Sequence, residues 1–341
     1  MTAHSPHAVG RPVPDDDGTL EFRAAVRAAL ADELSADPAV IVLGEDVAAA
    51  GGVFKVTEGL VARFGPERVI DTPISELALA GAAFGSAILG KRPVLEIMFG
   101  DFVPLVMDGL INQAAKYRYL SGGRHTVPLV VRCAVGAGGR FGAVHSQSPG
   151  TWLHGVPGLK VVCPSSPADA RVLLRAAIRD PDPVVFLEHK RLYGVRGPAA
   201  EPPALPLGRA RVVRRGRDVT IVSAMKGVPD ALAAAERLAA DGVRAEVVDL
   251  RSLRPLDVET VVASVERTNR LVAVEEGGRT GGWAAGLLGA VTEDALDALD
   301  AAWTVTTPEA PVPFSPPLED AFLPGPERIA ASVRERLRTA T

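Results

Sequence analysis

The sequence predicts an α/β protein of two doubly wound domains, and three observations carry that reading. Apolar runs alternate with helical periods from residue 19 to about 189, a proline-rich break follows, and a second alternation begins beyond it. A length of 341 residues agrees, since one domain takes roughly 150.

In chain order, TLEFRAAVRAALADEL predicts a helix with Thr19 at its N-cap and Phe22, Val26 and Leu30 as its apolar stripe. AVIVLG, RVID, PVLEIM, VPLVVRC, KVVCP and PVVFLE are continuous apolar runs, as parallel strands covered on both faces require. Helices are expected at 75–90, 101–121 and 167–180. Residues 193–208, YGVRGPAAEPPALPLG, hold four prolines and read as a semi-rigid linker. DVTIVSA, RAEVVDL and RLVAVEEG then give strands of a second unit, with helices near 228–241, 257–268 and 280–295 and a last one from Pro326. VPFSPPLEDAFLPGPERI is expected to be an extended crossing. The resulting division is a disordered lead-in at 1–18, a first domain at 19–192, the linker at 193–208 and a second domain at 209–341.

Composition narrows the function. Hydrophobic residues make up 47% of the chain and aromatics 5%, so the core is Ala, Val and Leu, while 23% charged residues suffice to solvate a surface. A net charge of -4 offers no basic footprint for nucleic acid or membrane, which points to small molecules and proteins as partners. Cys133 and Cys163 both lie in apolar runs, which fits reduced thiols and a cytoplasmic location. The first residues lack an apolar signal core, and no segment reaches the ~20 unbroken apolar residues of a membrane span.

One stretch stands out. In RVIDTPISELALAGAAFG, Glu76 follows a strand and a proline turn, with Ser75 placed to cap the helix that Glu76 opens. A carboxylate there complements the helix dipole, yet it also stands at the strand-to-helix edge where open α/β sheets bind ligands. Gly81 and Gly85 leave that helix open to close approach by another helix or chain. VGAGGRFGAVHSQSPG, residues 135–150, has five glycines but neither the Lys-Ser/Thr ending of a P-loop nor dinucleotide spacing.

DTPISE, EIMFGDF, NQAAKYRYLSGG, HSQS, PGLKVV, AIRDPDPVVFLE and LRPLD followed by VAVEEG occur here in one order. In that order the chain resembles the β subunit of the thiamine-diphosphate-dependent decarboxylase of 2-oxoacid dehydrogenase complexes (pyruvate, branched-chain and acetoin types), within the transketolase-like superfamily. The resemblance runs from about residue 19 to the end. It implies a pyrimidine-binding thiamine diphosphate domain followed by a transketolase C-terminal-type domain. It also implies that Glu76 hydrogen-bonds the cofactor's pyrimidine ring nitrogen and favours the imino form, whose exocyclic nitrogen is the base for the thiazolium carbon. By the same carry-over Met98 and Phe102 flank the pyrimidine, Ile74 offers its backbone, and His145 bonds substrate or moves protons.

The diphosphate and magnesium motif of single-chain members, a GDG followed by an Asn-rich turn, is not found. MDGLINQ at 107–113 reads instead as helix surface. The resemblance therefore implies an α subunit that holds the diphosphate and most of the magnesium site, in an assembly of two α and two β chains. It also implies transfer to a lipoyl-bearing acyltransferase, and a potassium site at Leu129, Ala177, Ile178, Asp180 and Asp182. In many members of the family an Asn stands at the position of Asp182. The expected reaction is oxidative decarboxylation of a pyruvate-like 2-oxo acid with reductive acylation of a lipoyl group. The alternatives are an acetoin dehydrogenase β subunit, half of a split transketolase or deoxyxylulose-phosphate synthase, and a catalytically silent docking subunit.

Overall fold

The computed structural model describes residues 18–203 and 205–339, so most of the expected lead-in, residues 1–17, lies outside the described residues. The first half supplies strands β1 (Thr19–Glu21), β2 (Val40–Gly44), β3 (Val69–Asp71), β4 (Arg92–Ile97), β5 (Val130–Val135), β6 (Lys160–Val162), β7 (Val184–His189) and β8 (Arg196–Pro198). The second supplies β9 (Arg211–Arg214), β10 (Val219–Ser223), β11 (Ala245–Asp249), β12 (Ser252–Arg254), β13 (Arg270–Glu275) and β14 (Ala301–Thr306). The larger sheet runs β12-β6-β7-β5-β4-β2-β3 and the smaller β14-β13-β10-β11-β9.

Every pairing inside these sheets is parallel except β12 on β6 and β9 on β11, both at edges. Register keeps the C-terminal ends level, with Gly44 opposite Glu96 and Val135 opposite His189. β2, β5 and β7 are buried along their whole length, as their unbroken apolar runs require. Cys133 and Cys163 are free and buried, and burial first of all pushes both thiols above their ordinary range. No helix among the described residues is long and apolar enough to cross a membrane.

Four expectations need correction. Thr19 does not cap the first helix: residues 19–21 pair with β8, and the helix Phe22–Ala36 starts after Glu21. The Thr19 hydroxyl instead accepts from the Arg196 guanidinium. That same ladder places β8 inside the expected linker. Helix 101–121 is broken into a 3₁₀ turn, Gly100–Phe102, an α-turn, Val103–Met107, a π-helical segment, Asp108–Ala114, and a last α segment, Ala115–Leu120. Gly109 lies in the π segment, and a Cβ there would stand 3.0 Å from Ala80 Cβ, so the widened turn lets two small residues touch. Finally, the expected extended crossing contains a helix, Pro316–Phe322, begun by its own prolines.

Candidate active site

The sheet order places β4 on one flank of β2 and β3 on the other, so the strand order reverses between β2 and β4. The C-terminal ends of the strands beside such a reversal form the ligand crevice of open α/β sheets. Glu45 follows β2, Glu76 follows β3, residues 98–102 follow β4 and the glycine-rich loop follows β5.

Glu76 opens the helix Glu76–Ile88, and Ser75, although at the N-cap, makes no side-chain capping bond. The Ser75 backbone N–H acts instead to lower the Glu45 carboxyl, the smallest of the influences on it. Burial, then the negative charges of Glu76 and Asp46, hold the Glu45 carboxyl above its usual range, and its buried Oε1 has no partner within the chain. Two carboxyls thus share the crevice, one of them biased toward keeping a proton. Sequence reading missed Glu45, although the signal was there: an acid directly after the fully buried strand β2.

The helix behind Glu76 buries only Leu79, Ala80, Ala83 and Ala87. Glu76 itself is half-exposed. The small apolar residues that follow it pack on one helix face only. On the other, Leu77 is 61% exposed, and Gly81 and Gly85 face open space. Ile74, in the turn before, is 82% exposed.

Phe99 and Phe102 leave β4 in an edge-to-face pair, centroids 6.0 Å apart. The His145 imidazole meets both rings on edge, at 4.6 Å from Phe99 and 5.6 Å from Phe102. The structure therefore brings Phe102 and His145 together. Met98 is half-buried and faces a small cavity shared with Phe54, Glu96, Arg132 and Tyr193. That cavity holds a buried charge cluster. Arg132 Nε and Nη2 donate to the two Glu188 oxygens at 2.7 and 2.8 Å, Arg132 Nη1 to Glu96 at 2.7 Å, and the Tyr193 hydroxyl to Glu188 at 3.0 Å. Burial alone would pull the Arg132 pKa down, but Glu188 and Glu96 hold it above the ordinary value.

The loop bearing His145 is gripped by the second half of the chain. Glu276 accepts from Ala137 N–H at 2.6 Å and pairs with His189 Nε2 at 2.9 Å. Burial would raise the Glu276 carboxyl, but His189, the Ala137 N–H and Lys190 together more than offset it, so the carboxyl lies below its usual range. Glu319, fully buried, accepts from Gly138 N–H at 2.8 Å and from Arg140 Nη1 at 2.6 Å. The glycines follow from this packing. A Cβ on Gly136, where φ is 89°, would stand 2.2 Å from His189 Nε2.

The five residues assigned to potassium meet around the turn after the helix Pro167–Arg179. The Leu129 carbonyl accepts from Val184 N–H, that of Ala177 from Asp180 N–H, and those of Ile178 and Asp180 from Arg92 Nη1. The carboxylates are engaged as well, Asp180 by Lys160 Nζ at 2.6 Å and Asp182 by Arg118 Nε at 2.5 Å. Among the described residues no group of three or more His, Cys, Asp or Glu is arranged to hold a metal ion. MDGLINQ is surface on one side only: Asp108 and Asn112 are exposed and bond each other, while Leu110 is buried in the core.

Residues 18–196 match the transketolase pyrimidine binding domain family, and residues 208–329 match the transketolase C-terminal domain family. The chain is 47% identical to the acetoin:2,6-dichlorophenolindophenol oxidoreductase subunit β of Cupriavidus necator, over 94% of this chain and 98% of that protein. It is also 47% identical to the mitochondrial pyruvate dehydrogenase E1 component subunit β-1 of Arabidopsis thaliana, over 91% and 87%. The chain belongs to the β-subunit family of 2-oxoacid dehydrogenase E1 components. A Bacillus subtilis acetoin:2,6-dichlorophenolindophenol oxidoreductase subunit β shares 44% identity over 92% of this chain and 96% of that protein. A solved chain described as a split gene transketolase, inactive β4 tetramer, superposes with a TM-score of 0.78 at 24% identity, over 94% of this chain and 99% of that chain. That likeness shows a shared fold for this E1 β-type chain.

Proposed function

We propose that this chain is the β half of a thiamine-diphosphate-dependent 2-oxo acid decarboxylase, assembled as two α and two β chains and working in the cytoplasm. The observation that carries the reading is the half-covered crevice at Glu76. A carboxyl pair there has a buried oxygen without a partner, and beside it lies an apolar surface, Ile74 and Leu77 with bare Gly81 and Gly85, that this chain leaves to solvent. Such a surface beside a polar crevice fits an α subunit that completes the site.

The donor set fits the pyrimidine end of thiamine diphosphate: a carboxyl for a ring nitrogen, an unpaired Glu45 oxygen for an N–H donor, and the half-buried Phe102 ring for a planar face. When bound, the cofactor supplies the carbanion stabilisation that decarboxylation needs. Glu76 would hold a proton at the ring nitrogen, and Glu45, biased toward its acid form, would keep a second charge out of the crevice. Ile74 and Met98 would border the ring, and His145 would hydrogen-bond the 2-oxo acid over Phe102. Magnesium would be held mainly by α. Potassium at Leu129, Ala177, Ile178, Asp180 and Asp182 would use, at the first four, the second lone pair of carbonyls already bonded once. A lipoyl group on the acyltransferase would accept the acyl unit.

The test is reconstitution with the α subunit and assay of 2-oxo acids and acetoin with an artificial electron acceptor. The reading requires turnover that depends on both thiamine diphosphate and α. Turnover by this chain alone, or sugar-phosphate transfer by the pair, would overturn it.

A further inference from the structure

We propose that Lys190 is a positioning residue for His145. It holds the glycine-rich loop through the His145 carbonyl and thereby sets where the imidazole stands against Phe102. The inference deepens the site read above and rests on it for the meaning of His145, but its geometry stands alone.

Lys190 directly follows β7, is 8% exposed, and its Nζ donates to the His145 backbone oxygen. The same ammonium lies over the Phe99 ring at 5.2 Å and the Phe141 ring at 5.5 Å. Phe99 is also the ring against which the imidazole packs at 4.6 Å, and Phe141 belongs to the same loop. One cation therefore ties together the floor of the site, the loop and the backbone of its histidine. The rest of the loop is fixed from the opposite direction by Glu276 and Glu319 at Ala137, Gly138 and Arg140. Between Gly142 and Gln147 the backbone has few other holds: His145 N–H bonds Gly142 O at 3.4 Å, Gln147 N–H bonds Asp101, and the Gln147 carbonyl accepts from Gly136 N–H at 3.1 Å.

Charged and titratable groups face this ammonium from every element around it. They are Asp101 after β4, Cys133 on β5, Glu276 after β13 and Glu319 from the helix Pro316–Phe322, with the loop contributing the His145 carbonyl. Burial nonetheless dominates and draws the Lys190 pKa down to about 8, against the opposing pull of Asp101, Glu276, Cys133 and Glu319. Above that pH the group is an amine, which loses its attraction to both rings and donates more weakly. The loop should then loosen while the fold does not. A lysine whose folded pKa lies below its unfolded value of about 10.5 makes the unfolded chain bind more protons between the two values, so its contribution to stability rises with pH there. Titration of Lys190 in that window therefore does not itself unfold the chain.

The experiment compares wild type with K190M and K190R. Amide hydrogen exchange over residues 136–148 is read on the full chain at pH 7 and pH 9, and the pH dependence of kcat on the complex reconstituted with α. At pH 7, K190M should exchange about tenfold faster in this loop and lose kcat by a similar factor, as expected for one charged hydrogen bond, with KM little changed. Corrected for intrinsic exchange, wild type at pH 9 should approach K190M, and its kcat should show an alkaline limb near pH 8. K190R should restore protection and activity but show no such limb, because a guanidinium does not titrate there. Unchanged loop exchange in K190M, or an alkaline limb that persists in K190R, would overturn the assignment. If K190M does not fold, the K190R limb decides the matter alone. If wild type shows no decarboxylation, the functional reading fails while the exchange comparison still decides the role of Lys190.

Discussion

Arg132→Met offers the sharpest test of how the floor of the site is built. The arginine is 2% exposed and Glu188 fully buried, with Glu96 beside them, so the wild type holds one cation against two carboxyls. Methionine fills part of the space but leaves both carboxyls without their cation, Glu188 keeping only the Tyr193 hydroxyl, and breaking a buried ion pair from one side costs about 3–5 kcal/mol. The loss should depend on pH, with a definite sign. Burial, foremost, already holds the Glu96 carboxyl above its usual range. Without the guanidinium that rise grows, and the folded variant binds protons the unfolded chain does not. Stability then falls as pH rises from the unfolded carboxyl value toward the raised one, by up to about 1.4 kcal/mol per pH unit for each carboxyl that takes a proton. Urea denaturation of wild type and variant at pH 5.5 and 7.5 reads this directly. The expected result is a penalty of about 3–5 kcal/mol at pH 7.5 that shrinks by about 1–3 kcal/mol at pH 5.5. A penalty under about 1 kcal/mol, or one independent of pH, would refute the reasoning.

Other outcomes follow from the same geometry. Gly136→Ala places a methyl 2.2 Å from the His189 ring at a left-handed backbone position, so the loop should detach and activity should fall at least tenfold with far-ultraviolet dichroism unchanged. Glu276→Gln removes a carboxylate whose pKa lies below its usual value. The wild type should therefore be the more stable above about pH 4.5, and that advantage should shrink as pH falls toward the lower folded value, so the gap between denaturation midpoints should be smaller at pH 3.5 than at pH 7. Leu77→Asp, on the exposed helix face, should leave thermal stability within about 0.5 kcal/mol of wild type but weaken association with α at least tenfold by sedimentation.

What was legible in the sequence follows the physics of each element. The interior strands were readable because a parallel strand covered on both faces must be a continuous apolar run, and β2, β5, β7, β10 and β11 are buried throughout. β8, β9, β12 and β14 escaped notice because each lies at a sheet edge, where one flank is open and the run need not be apolar, as RGP, RVVR and SLR show. At the site, Glu76, Met98, Phe102 and His145 lie in motifs whose order marks the family. Glu276 also lies in such a motif, VAVEEG, but its hold on the loop and that of Glu319 span 139 and 181 residues of chain and leave no local pattern to read. The Arg132 cluster did leave a trace. VPLVVRC, PVVFLE and PVLEIM each carry one charge in an apolar run, and three adjacent buried strands with one charge apiece must pair them.

The central claim is that Glu76 acts on a cofactor shared with a second chain. Its most direct test is Glu76→Gln in the complex reconstituted with α, with assembly followed by light scattering and thiamine diphosphate binding by calorimetry. The account predicts an intact complex that still binds the cofactor and loses at least 100-fold in 2-oxo acid decarboxylation, the scale of lost acid–base catalysis. Decarboxylation within a factor of about two of wild type would contradict it, because the carboxyl would then contribute less than one hydrogen bond to the reaction.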